Sequence, residues 1–300
     1  MTLNLLLPVE GVTHLLDHWP DEPHVYQRTR TCLDEMFTAE QVWSWIDLNC
    51  VPADEVAAIK APNPAINPRV FAGIHGRVDA ERLHKLYDEG HTVRVGNLQR
   101  VMPAMARVSQ EIQNETGYSN YVHVFMTPGC RQGLRHHWDQ QMAVIVQVSG
   151  RKRWELWPPV VEAPMRSHLE SWRIWRDDYL EGWLDSGPER IIDLGPGEAM
   201  LLPRGWVHNP YNADDDPSVH LTFAIRERTP LWISEKLAGG AIEELAFRQV
   251  LLPSDIHGEA LPDIVAETRD ALVAYLQGLD TSEVAERLRR LARNELEYTS

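Results

Sequence analysis

Hydrophobic and polar positions change period twice along the chain. From residue 1 to about 117 the spacing is that of helices and loops. Ala39 to Leu48 sets Val42, Trp43, Trp45 and Ile46 at helical intervals. Pro52, Pro62, Pro64 and Pro68 then punctuate a connecting segment. After Asp79 the residues Ala80, Leu83, Leu86 and Tyr87 recur on one helix face until Gly90 ends it, and a third helical stretch runs from about Leu98 to Thr116, closing at Gly117.

From residue 118 the period shortens to two. Tyr121 to Met126 alternates, Met142 to Val148 is almost unbroken apolar sequence, and Arg153 to Trp157 alternates again. Ile191 to Leu194, Glu198 to Leu202 and Val219 to Ile225 continue the series, with Gly195-Pro-Gly197 and Pro203-Arg-Gly205 as turns between them. Many short strands closed by Gly and Pro predict a barrel or a sandwich. Residues 160–190 interrupt the series with Trp172, Trp175 and Trp183 among Arg and Asp, and read as an insertion or lid. Helical spacing returns after Pro230, over Ala241 to Leu251, Ala260 to Leu276 and a last helix that follows Asp280-Thr-Ser282 and carries Val284, Leu288, Leu291 and Leu296. The expected fold is mainly β with flanking α: a mixed amino-terminal region over 1–117, a β-barrel over 118–228, and a helical domain over 229–300. The apolar stripe of the last helix suggests a homodimer, with packing back onto the amino-terminal helices as the alternative.

Charge and composition narrow the function classes. With 29 Lys+Arg against 44 Asp+Glu, the formal charge is −15, so direct binding to nucleic acid is not expected. An acidic surface could instead attract a basic peptide or protein. No stretch approaches the length of an apolar membrane span, and Met1 to Glu10 lacks the basic flank of a secretory signal. A cytoplasmic location is therefore expected. Cys32, Cys50 and Cys130 are too scattered for a disulfide framework or a thiolate metal site, so any metal would need imidazole and carboxylate.

Those groups meet in Gly133-Leu-Arg-His-His-Trp-Asp139. On a strand, His137 and Asp139 share a face and Trp138 takes the other. One neutral nitrogen and one anionic oxygen, joined by a second histidine from another strand, would make a facial triad for Fe(II), although other divalent ions fit the same donors. His208, after the turn Pro203-Arg-Gly205, is the best third ligand. A His-x-Asp pair alone is weak in a chain with thirteen histidines. Lys152, in Gly150-Arg-Lys-Arg-Trp154, adds weight: a cosubstrate with two carboxylates could chelate the metal at one end and meet this ammonium at the other. The plainer reading of that segment is a basic hairpin turn. By alternation Lys152 and Trp154 share one face and Arg151 and Arg153 the other.

Tyr121 to Pro159, with His137-Trp-Asp139 and Gly-Arg-Lys-Arg-Trp154, together with Pro-Gly-Glu-Ala-Met-Leu-Leu-Pro-Arg-Gly-Trp-Val-His208 and Ser218 to Thr222, resembles the JmjC-type 2-oxoglutarate oxygenases. Within them the sequence is most similar to the ribosomal oxygenase branch, whose members hydroxylate arginine or histidine side chains of ribosomal proteins. The similarity extends upstream through His18-Trp-Pro20 and Asp88-Glu-Gly-His-Thr92. It implies a cupin-type double-stranded β-helix that uses Fe(II), 2-oxoglutarate and O2, with the metal on His137, Asp139 and His208. Lys152 would hold the distal carboxylate, Phe125 and Leu134 would flank the cosubstrate, and His123, His220 and Trp138 would face the substrate. The implied reaction is hydroxylation of an amino-acid side chain in a protein or peptide. Two alternatives stand beside it: a hydroxylase of a free amino acid or natural-product peptide, and a metal-binding scaffold or sensor without turnover. Where the branch usually shows Asn-x-Tyr, this chain has His123-x-Phe125, and Ala224 stands where relatives often carry a small polar residue. The tail is shorter than a dimerisation bundle plus a winged helix would need.

Overall fold

The computed structural model describes residues 3–28, 33, 36–165 and 177–294. The chain divides into two units, one of Met1–Thr116 with Asn120–Arg226, the other of Gly117–Ser119 with Glu227–Ser300.

In the first unit, local rules place the helices. Thr38 and Gln41 form a reciprocal capping box at the start of α2 (Ala39–Asp47), after the short α1 (Val9–Thr13). Asp79 accepts from the Arg82 N–H to start α3 (Ala80–Asp88). In α4 (Pro103–Thr116) the buried residues Met105, Val108, Ser109 and Ile112 lie on one stripe.

The strands form two antiparallel sheets. β1 (His24–Gln27), β2 (Val56–Ile59), β3 (Thr92–Val95), β4 (Asn120–Thr127), β5 (Met142–Ser149), β8 (Glu198–Leu202) and β10 (Ser218–Ile225) join in the order β1-β8-β5-β10-β4-β3-β2. β6 (Lys152–Trp157), β7 (Arg190–Leu194) and β9 (Val207–Tyr211) form the other, in the order β7-β6-β9. This is a double-stranded β-helix. Ala143, Ile145, Met200 and Leu202 from the large sheet pack on Trp154, Leu156 and Leu194 from the small one, so apolar side chains join the two sheets face to face. β6 alternates as expected, with Lys152, Trp154 and Leu156 buried and Arg153 and Glu155 partly exposed.

Several expectations are corrected. β1, β2 and β3 arise in the region read as helix and loop, because four-residue strands between Gly and Pro are too short to show a period. Leu98 to Thr116 is one 3-10 turn (Leu98–Arg100) followed by α4, with Pro103 starting the helix. The segment bearing His137 and Asp139 is not a strand: only His137 pairs, in an isolated bridge with His208. Within the insertion, α5 (Asp177–Ser186) brings Trp183 against Trp138, Trp157 and Val207; Trp172 and Trp175 lie outside the described residues.

The second unit contains α6 (Pro230–Gly239), α7 (Pro253–His257), α8 (Leu261–Gln277) and α9 (Thr281–Asn294). Thr229 caps α6, and the Ser119 N–H donates to the Ala292 carbonyl at 2.9 Å. The helix expected over Ala241 to Leu251 is absent. Two 3-10 turns, Gly240–Glu243 and Leu245–Arg248, occupy the stretch, and Ile242, Leu245 and Val250 are exposed.

Candidate metal centre

Two main-chain bonds set the centre. The His137 N–H donates to the His208 carbonyl at 3.0 Å, and the His208 N–H returns the bond at 2.7 Å. This bridge holds the two rings 4.0 Å apart, centroid to centroid. The Gly205 N–H donates to the Asp139 carbonyl at 3.0 Å, tying the turn before β9 to the third donor.

The imidazoles are aimed from behind. His137 Nδ1–H donates to the Arg135 carbonyl at 2.7 Å, and His208 Nδ1–H to the Trp206 carbonyl at 2.9 Å. Each bond keeps the proton on Nδ1 and leaves the Nε2 lone pair for a ligand bond. His208 Nε2 lies 3.8 Å from Asp139 Oδ2, and one donor atom from each of His137, Asp139 and His208 lies within 4.8 Å of the others. Burial and the neighbouring His208 hold His137 down to about 3, and burial holds His208 down to about 4, so both rings are neutral at pH 7. Burial raises the Asp139 carboxyl, against the pull of His137. Two neutral nitrogens and one carboxylate on one side of an open space suit a divalent first-row ion and leave positions for other ligands. The residues present therefore fit Fe(II).

That space is a cavity of about 650 Å³ between the sheets. Lys152 is on its wall, 2% exposed. Its Nζ donates to Thr127 Oγ1 at 2.6 Å, and Thr127 is also bonded to Thr92 Oγ1 at 3.0 Å. Burial alone pulls this lysine down to about 7, and no carboxylate among the described residues offsets it. A buried ammonium on an open cavity, held only by a hydroxyl, awaits an anion.

His123, Phe125, Leu134 and His220 also line the cavity. The Phe125 ring stacks on His220 at 4.8 Å, and Trp154 meets His220 edge-on at 5.4 Å. His123 Nδ1 accepts from the Asn97 N–H at 3.2 Å, and burial, then Arg94, holds its pKa down to about 3. Trp138 is placed elsewhere: it is buried with Trp157, Trp183 and Val207, off the cavity. Sequence reasoning missed Arg94, Tyr121 and Thr92 on the wall. The alternation Thr92-Val-Arg-Val95 between Gly90 and Gly96 was the available signal.

A double-stranded β-helix with a His-Asp-His triad facing a buried lysine defines the class, and residues 94–231 match the JmjC domain model. The chain is 26% identical over 297 residues to the bifunctional lysine-specific demethylase and histidyl-hydroxylase NO66 of Drosophila persimilis, covering 92% of this chain and 40% of that one. It is 24% identical over 294 residues to ribosomal oxygenase 1 of Danio rerio, covering 92% and 51%. Among solved structures, YcfD, a ribosomal oxygenase from Escherichia coli, superposes with a TM-score of 0.59 at 14% identity, over 97% of this chain and 73% of that one. Over residues 94–231 the chain is thus similar to JmjC domains, and over most of its length to ribosomal oxygenases. It spans about half or less of the length of the first two relatives.

Proposed function

We propose that this protein is an Fe(II)- and 2-oxoglutarate-dependent oxygenase that hydroxylates an amino-acid side chain in a protein or peptide. The observation that carries this reading is the pairing of the His137-Asp139-His208 donor set with Lys152, a buried cation lacking a protein anion on the same cavity. A metal-binding scaffold has no use for that lysine. Relatives named for histidyl hydroxylation and as a ribosomal oxygenase support the choice, as does YcfD, crystallised with cobalt and 2-oxoglutarate.

The iron, once held, supplies oxygen activation coupled to decarboxylation of 2-oxoglutarate. The chain's own part is positioning and exclusion. His137, Asp139 and His208 hold the ion on one side; Lys152, steadied by Thr127, binds and neutralises the far carboxylate of the cosubstrate. Phe125, His220 and Trp154 form a wall that keeps water away, and no protein base is needed, so the neutral His123 and His220 have no proton to move.

A ribosomal protein is the first target to test, since a −15 surface favours a cationic partner. The replacement of Asn-x-Tyr by His123-x-Phe125 supports a second reading, a free amino acid or natural-product peptide. No helix among the described residues is long and apolar enough to cross a membrane; a cytoplasmic site of action and a homodimer through α9, where Val284, Leu288 and Leu291 are half-buried, are part of the same proposal. The test is mass spectrometry of ribosomal proteins, peptides and small-molecule extracts after incubation with enzyme, Fe(II) and 2-oxoglutarate. A gain of one oxygen on a protein side chain is expected; the same gain confined to a small metabolite selects the second reading.

A further inference from the structure

The cavity carries a second, half-buried cation that the metal and cosubstrate leave without a role. Arg94 is on β3, two residues beyond Thr92 and on the same face, so it stands about 7 Å further along the wall from the Thr92–Thr127–Lys152 cluster. Its strand partner is Phe125, whose other neighbour in the sheet is His220. The guanidinium therefore belongs to a layer of the cavity separate from the one that holds Lys152.

Nothing in the described residues neutralises it. Arg94 Nε is buried with no hydrogen-bond partner. Tyr121, then Glu55, are the groups whose field reaches it; the Tyr121 hydroxyl donates to Gln141 Oε1 at 3.1 Å, and Glu55 is committed elsewhere, with Oε2 accepting from Asn97 Nδ2 at 2.7 Å and Oε1 from Arg100 Nη1 at 3.1 Å. Beside Arg94, His123 is neutral with its Nδ1 already accepting. Arg226 stands 4.7 Å over the Tyr121 ring and also has an unpartnered Nε. Asp54, on the same cavity, is exposed and exerts no resolved pull on Arg94. An acidic chain thus presents two cations, Lys152 and Arg94, to its cavity, with Arg226 nearby. The Arg94 Nε is buried without a partner on the cavity, and a planar carboxylate would match the guanidinium fork.

We infer that Arg94 receives a carboxylate of the substrate, so that the hydroxylated side chain sits next to an anionic group. This rests on the oxygenase reading above and narrows its substrate class. Surface charge acts on approach and is screened beyond about 8 Å in physiological salt; Arg94 acts at contact. The carboxylate has two sources, a free α-carboxylate or the side chain of a neighbouring acidic residue.

Paired probes separate them. The enzyme with Fe(II) and saturating 2-oxoglutarate is given the twenty N-acetyl amino acids, each as free acid and as methylamide. It is then given acetyl-X-Glu and acetyl-X-Gln methylamides with X varied, and succinate above the probe-free level is measured. Stimulation by acids over their amides, or by Glu over Gln peptides, by roughly tenfold or more is expected, and the responding set names the source. In Arg94→Gln that preference falls toward one, and in Arg94→Lys part of it returns. Because the preference is a ratio within one variant, loss of folded protein cancels. No preference in either set, including no stimulation at all, overturns the proposal. So does an Arg94→Gln enzyme whose preference is intact while its KM for 2-oxoglutarate rises. Failure of the oxygenase reading looks different: no succinate above a His137→Ala control, with or without probes.

Discussion

Replacing Lys152 by Met should make the ligand-free protein more stable while destroying its response to 2-oxoglutarate. The side chain is 2% exposed, bonded only to Thr127 Oγ1, and its pKa falls from a lysine's ordinary 10.5 to about 7 through burial. At about 1.4 kcal/mol per pH unit, holding the ammonium in place costs the fold roughly 4 kcal/mol at pH 7. Methionine is of similar length and carries no charge; losing the bond to Thr127 subtracts about 1 kcal/mol, leaving a net gain of about 3 kcal/mol. The sign with pH follows from proton counting. Between pH 7 and 10.5 the unfolded chain keeps a proton that the folded chain has released, so wild-type stability gains on the variant as pH rises; the difference should fall through zero below 10.5 and end with the wild type ahead by about the value of the Thr127 bond. Urea unfolding of both proteins at several pH values measures it. Adding 2-oxoglutarate with Mn(II) should then raise the wild-type midpoint and leave the variant's nearly unmoved. A Met variant less stable than wild type, with the 2-oxoglutarate response intact, would refute the claim that this lysine waits for an anion.

Three further outcomes follow from the same geometry. His137→Ala and Asp139→Ala should each lower Mn(II) affinity by roughly tenfold or more in isothermal titration, since each removes one of three protein donors. Mn(II) affinity of the wild type should show no imidazole step near pH 6.5, because His137 and His208 protonate only near 3 and 4; a fall centred near 6.5 would show ordinary, solvated imidazoles. Gly150→Ala should destabilise the turn that delivers Lys152: φ there is +62°, and a Cβ would approach the Pro217 carbonyl oxygen to 2.2 Å, so a loss of about 1–3 kcal/mol is expected in thermal unfolding.

What the sequence disclosed was governed by length and by charge. Strands such as β4, β5 and β10, of eight residues each, announced themselves, and His137, Asp139, Lys152 and His208 could be grouped by their donor chemistry and by the motifs around them that resemble a known family. The four-residue β3 hid Arg94, since two polar and two apolar residues between glycines make no convincing period. β9 escaped because Asn209 and Pro210 break its pattern, although Pro210 is a buried position within the strand. The opposite error fell at Ala241 to Leu251, where apolar residues at helical spacing are exposed. Trp138 shows what spacing alone leaves out. Its neighbours His137 and Asp139 carry the donor atoms, yet its own ring packs away from them with Trp157 and Trp183, a contact made by an insertion that sequence order places far away.

On the proposed reading, one cavity binds a metal on His137, Asp139 and His208 and an anionic cosubstrate on Lys152 for oxidative decarboxylation. The most direct measurement is succinate formed from 2-oxoglutarate by the aerobic protein with Fe(II), compared with His137→Ala and Lys152→Met. Succinate from the wild type that depends on iron, and falls to background in both variants, is the predicted result. Equal background succinate from all three proteins would contradict it.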